Sequence, residues 1–391
     1  RDRWNWYTLR DYDKLGNHDI AWHDDVLLIF DAEKNRGKTA VPLDKILASR
    51  RRIAEANCDD PIVLARLAYI PTSSDAATNR KESFRLATKA VESLPQSTYP
   101  PRVDYVVRRV QFDLASRLEE FDDFENLQAE ELKIILKVFA DKLMSDDQRR
   151  MFSDTITGDF SERFLSEQNF EMLDLLKGRT DLDEWMHSML AGHLHFTIGW
   201  RRRGGGSITS VTDQERRDFK VHLNEARVHY LRAWQAEPTF PEAAALLLKI
   251  TMAIGPVADE DTRFWFDEAV AAQFSYTPVY SAFRWSLRPR WGGSHEELLR
   301  LGEECLATGQ FDSKVPIEFH QAVQDVVSEL DEDDPSPFSR PDIVEKYKRL
   351  FSGYRAKATD VQSKNFVDSQ LLCVLILAKR FEEARTLHDK L

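Results

Sequence analysis

Residues 280–316 read YSAFRWSLRPRWGGSHEELLRLGEECLATGQFDSKVP, and this run decides the fold class. Just ahead of it, Thr277 followed by Pro278 predicts a helix start, because a proline in the first turn gives up only an N–H that would be unpaired there anyway. Val279, Ala282, Phe283, Ser286 and Leu287 then recur at the spacing of one helical face. Pro289 stops that helix. Gly292 and Gly293 permit a sharp change of direction, and Ser294 with Glu297 has the spacing of a capping box. A second helix follows, its inner stripe Leu298, Leu301, Gly302, Cys305 and Leu306, with Gly309 placed to end it in a left-handed conformation. The stretch is therefore an αα-hairpin with a stiff elbow, and it carries no catalytic signature.

Working outward, the same periodicity predicts helices along the whole chain. Residues 1–70 read as three or four helices, with Tyr7, Tyr12, Trp22, Leu27, Leu28 and Phe30 as apolar faces and Asp60-Pro61 as a cap-and-proline start. The polar run Thr72–Asn79 reads as a surface loop, with the helical period resuming at Arg80. Val103, Val106, Val107, Val110, Leu114 and Leu118 form one stripe, the acidic cluster Glu119–Glu125 a turn, and Ser145 before Asp146 and Asp147 another capped start. Trp200–Ser207, a run of arginines and glycines, reads as the clearest internal linker. A long helix is expected over Phe219–Ala236, with an antiparallel partner from Pro241. Glu329–Pro341 reads as an acidic, proline-punctuated linker to a small C-terminal helical region. Nowhere does a two-residue alternation persist long enough for a strand.

One phrase recurs. Ala90 lies five residues before Pro95, and Ala233 five before Pro238, the small-residue-then-proline spacing with which the second helix of a tetratricopeptide unit packs and stops. Asp267–Val270 and Ala378–Ala384 are weaker echoes, and no strict period holds. The fold expected is all-α, an irregular tetratricopeptide-like solenoid of helical hairpins. It divides into an N-terminal helical region over 1–72, helical repeats over 80–200, a tetratricopeptide-like domain with the elbow over 207–330, and a C-terminal hairpin region over 341–391.

The run Leu287–Ser294, LRPRWGGS, followed by Phe311-Asp312 and Val315-Pro316, resembles a bacterial family of tetratricopeptide-like proteins that carries the description of a domain of unknown function. The resemblance extends upstream through Gly199-Trp200, Arg203-Gly204, Phe219, His222-Leu223, Ala226, Ala233-Trp234, Pro238 and Pro241–Ala243. It is strongest over residues 160–330. It implies a helical fold and no known activity.

Composition narrows the function classes. Over 391 residues the chain is 42% hydrophobic and 31% charged, the balance of a folded protein and not of a disordered one. Sixty-six acidic against 54 basic residues give a net charge of −12, which argues against a general nucleic-acid binder. Cys58, Cys305 and Cys373 are far apart without metal-ligand spacing, so each is expected in a core as a small apolar residue. The longest apolar run, Leu371–Ala378, is too short to span a bilayer. A chain that starts at Arg1 is compatible with a signal peptide or anchor removed ahead of it, and the compartment stays open.

Several constellations invite chemistry. His187, His193 and His195 suggest a metal, but helical residues two apart point roughly 200° apart, and Glu184 with His187 is one pair where a di-iron bundle needs two. His222, Glu225 and His229 share one helical stripe, which reads first as a solvated face. No metal or cofactor is expected. No P-loop, no HExxH and no GxSxG occurs. The elbow is the best binding candidate: Arg284, Arg288 and Arg290 surround Trp285 and Trp291, and the helix that opens after Gly292, Gly293 and Ser294 suits an anion or a peptide carboxylate. Trp200 and Arg203 are candidates to join it. The competing reading is a lock of arginines stacked on tryptophan and paired with acids. Function is expected to be a non-catalytic scaffold that grips a protein or peptide. The alternatives are a hydrolase or transferase with a site near His193, Trp200 and Arg290, or a sensor module of a larger protein.

Overall fold

A computed structural model describes residues 10–34, 41–71, 75–119, 121–164, 166–206, 210–330 and 336–391. Tyr7, Ser207 and the stretches 72–74 and 331–335 lie outside them. The described residues are helical, with no strand and one isolated bridge between Val257 and Glu260. The chain divides into two compact units, Arg1–Ile198 and Gly199–Leu391.

In the first unit, the helices His23–Lys34, Leu43–Glu55, Pro61–Leu67, Ala76–Ser93, Pro101–Ala115, Phe124–Phe139 and Asp146–Glu162 follow one another along the chain. Their starts are chemically marked. The Asp60 carboxylate accepts from the Ile62 and Val63 N–H groups ahead of a first-turn Pro61, and Ser145 with Gln148 forms a reciprocal capping box. Asp60 also accepts from the Tyr99 hydroxyl and the Asn17 N–H, so one acid ties three segments together. Tyr12, Trp22, Ile53, Leu67, Ala87 and Val107 belong to a single core.

In the second unit, helices adjacent in the chain pack on one another. Asp213–Ala236 pairs with Pro241–Ile254, Thr262–Ala272 with Thr277–Ser286, and His295–Ala307 with Glu318–Val327. Pro341–Lys357 packs on Val361–Leu377, which leads to Phe381–His388. Pro241–Ile254 touches both helices of the next pair, and His295–Ala307 touches both its own partner and Pro341–Lys357. Close approach in the third pair depends on Gly302, where a Cβ would come within 2.9 Å of Ala322 Cβ and of Phe319 Cα.

Several boundaries differ from those the sequence suggests. The first such helix begins at Ala76, not Arg80, because Asp75 caps it by accepting from the Thr78 N–H at 2.6 Å. The long helix begins at Asp213, not Phe219, behind a Thr212–Glu215 capping box. Trp200–Arg203 is the last turn of the helix Glu184–Arg203, and the chain leaves the helix only at Gly204. Glu329 is drawn into ion pairs, and Phe338 is buried in one core with Leu298, Phe319, Tyr347 and Val374. In the polar stretches, side-chain caps extend helices beyond the point where apolar periodicity fades. Of the three cysteines, Cys58 and Cys305 are buried as expected, whereas Cys373 is exposed on the outer face of Val361–Leu377.

Candidate functional site

The elbow forms as the local sequence dictates. Thr277–Ser286 ends one residue before Leu287, Arg288 is extended, and Pro289–Trp291 makes a single 3-10 turn. Gly292 then takes φ +91°, a left-handed conformation that costs any other residue roughly 1–2 kcal/mol. Gly293 is required for another reason: a Cβ there would lie 2.1 Å from the Leu287 carbonyl oxygen. Ser294 caps the next helix by accepting from the Glu297 N–H at 3.2 Å and donates its hydroxyl to the Glu297 carboxylate. The first turn also carries Glu296, so the chain's own acids sit where the helix dipole favours an anion.

Acids that local reading does not connect to the elbow engage its arginines. Arg284, 7% exposed, donates to Glu318 and through Nε to Asp325 at 2.8 Å. Arg288 donates to Asp325 at 2.6 Å and to Glu329 at 3.2 Å. Arg290 donates to the same Glu329 oxygen. Glu318, Asp325 and Glu329 follow at i, i+7 and i+11, which brings them to nearly one face of the helix Glu318–Val327 and its last turn. Three guanidinium groups and three carboxylates thus alternate in a ladder. Arg288 also lies over the Trp285 ring at 4.4 Å, with Arg290 at 5.4 Å.

What the ladder leaves outward is aromatic. Trp285 is 40% exposed and Trp291 39%, and Arg290 is the half-exposed cation beside them. Trp285 stands on the last turn of Thr277–Ser286 and Trp291 on the 3-10 turn, just ahead of the two glycines. The arrangement can present flat apolar surface at little conformational cost.

Trp200 and Arg203 have other neighbours. Trp200 meets Phe219 edge-on at 4.9 Å, and Arg203 lies over the Trp200 ring while donating to the Gly204 and Gly206 carbonyls. His193 Nε2 is 2.8 Å from the Ser161 hydroxyl, and His187 Nε2 is 3.3 Å from the Leu176 carbonyl. Burial, with Arg202 nearby, pushes His222 below the ordinary imidazole range.

The first unit holds a second ionic cluster that sequence reasoning missed. Asp159 takes both forks of Arg109, the Tyr105 hydroxyl at 2.5 Å and Arg163 at 2.9 Å, and Arg163 also holds Glu131. Glu131 is 1% exposed. Burial raises its carboxyl from 4.5 to about 7 against the opposing pull of Arg163.

No protein-family model matches this chain, and no curated protein does.

Proposed function

We propose that the protein is a non-catalytic scaffold of the helical-repeat type, whose second unit is a short tetratricopeptide-like stack of hairpins that grips a protein or peptide through the elbow. The observation that carries this reading is the pair Trp285 and Trp291, held half-exposed on a backbone that the arginine–carboxylate ladder makes rigid. Rigid aromatic side chains anchor protein contacts because they bury much apolar area while losing little rotamer freedom. Contacts of Pro241–Ile254 and of His295–Ala307 with helices beyond their own partners fit a stack in which no hairpin buries its apolar stripe alone. Ala90 and Ala233, both fully buried, stand where the repeat phrase needs a small residue. On this reading the LRPRWGGS resemblance reflects a shared elbow, and the arginines are its frame.

The test is a partner captured from the native host, remade pure and titrated against variants. Replacing Trp285 and Trp291 together by Ala should weaken binding at least about tenfold, or ~1.4 kcal/mol, with helical circular dichroism unchanged. Arginine variants are the wrong probe, since they break the frame and the surface together. Binding unaffected by the double replacement contradicts the proposal.

A further inference from the structure

A cavity of about 130 Å³ lies in the first unit between the helices Leu43–Glu55, Pro61–Leu67 and Ala76–Ser93. Its charged lining is three cations, Arg50, Arg85 and Lys89, against one carboxylate, Glu82, and Leu64 and Leu67 belong to its apolar wall. In a chain of net charge −12 such a local surplus is against the trend. Arg50 is 6% exposed, yet its guanidinium makes one long bond, Nε to the Leu67 carbonyl at 3.4 Å, and its nearest carboxylate oxygen, on Glu82, is 3.9 Å away. Glu82 is engaged instead by both forks of Arg85, at 2.8 and 2.9 Å. Lys89 donates to the Cys58 carbonyl at 2.9 Å, and burial keeps the Cys58 thiol neutral by pushing it up to about 12.

A little-exposed guanidinium with no carboxylate within hydrogen-bond distance, whose remaining donors are left to solvent, gains from an anion that meets it, and low-dielectric walls strengthen that meeting. We propose that this cavity binds a compact oxyanion of phosphate or short-carboxylate type, with Arg50 as the buried fork, Arg85 at the mouth and Lys89 as a flanking charge. The volume is slightly below that of a cavity of about 150 Å³ that takes up benzene, which suits a group of some five non-hydrogen atoms and excludes a nucleotide. Glu82 is the competitor for the same cations, so the site is tuned to be weak.

The experiment is calorimetric titration of the full chain with inorganic phosphate, and in parallel with acetate, at constant ionic strength. We expect saturable one-site binding of at least one of the two, and which one sets the chemical class. Arg50→Met should weaken it about tenfold or more, and Lys89→Gln severalfold. Because Arg50→Met is a buried change, Glu82→Gln provides the second arm: it removes the competing carboxylate from the partly exposed rim and should tighten binding severalfold. A purely structural Arg50–Glu82–Arg85 cluster predicts no such gain. Absence of saturable binding of both anions to the wild-type chain at about 10 mM, a concentration at which even millimolar affinity is visible, overturns the proposal. So does a response that none of the three replacements moves.

Discussion

Arg284 is held by Glu318 and Asp325, so truncating it strands buried charge, a change that ordinarily costs about 3–5 kcal/mol. Arg284→Met should show that loss in urea unfolding. Adding Glu318→Leu should restore more than half of it, because Asp325 keeps Arg288; strictly additive losses would mean the pair is not coupled. The two elbow glycines differ in kind. Gly292→Ala should cost about 1–2 kcal/mol of backbone strain, and Gly293→Ala more, since its Cβ would overlap the Leu287 carbonyl oxygen and force the corner open. Equal losses on thermal melting would contradict that ranking. Both glycines were legible in the sequence, as was Gly309, which takes φ +64° after its helix. The carboxylate partners were not, because they lie 34 to 41 residues from their arginines. A signal existed in the spacing alone: Glu318, Asp325 and Glu329 fall at i, i+7 and i+11, and Arg284 and Arg288 at i and i+4, both compatible with one helical face.

Helix pairs depend on what their facing sides can bury. Gly302→Leu should destabilise the unit by several kcal/mol, well beyond a usual overpacked core, because backbone of Glu318–Val327 is the obstacle and cannot rotate away. The helix Phe124–Phe139 supplies a titration test. In the folded chain Glu131 keeps its proton up to about 7, whereas the unfolded chain releases it near 4.5. Between those values folding takes up a proton, so this group's contribution is greatest below about 4.5 and falls as pH rises to about 7, by up to ~1.4 kcal/mol per pH unit. Glu131→Gln should flatten the stability profile across that window; an unchanged slope would place the pH dependence elsewhere. Apolar stripes such as Val103, Val107 and Leu114 were readable from their spacing. Helix ends were less so where Asp75, Thr212 or a run of arginines carries the helix through polar sequence, since caps act without any apolar period.

For the chain as a whole, the absence of strand alternation was enough to fix the all-helical class, and among the described residues no helix is long and apolar enough to cross a membrane. The ionic ladder, the Glu131 cluster and the oxyanion cavity were not readable, for a common reason: each assembles charged side chains from separate helices, and charge on one helix has no period that names its partner on another. The scaffold proposal places function on the surface that the ladder fixes. Its most direct test is hydrogen exchange of the chain with and without its purified partner. Slowed exchange centred on residues 285–298, lost in the Trp285 and Trp291 double variant, is the predicted result; protection confined to other segments, with those residues exchanging as in the free chain, would contradict the account.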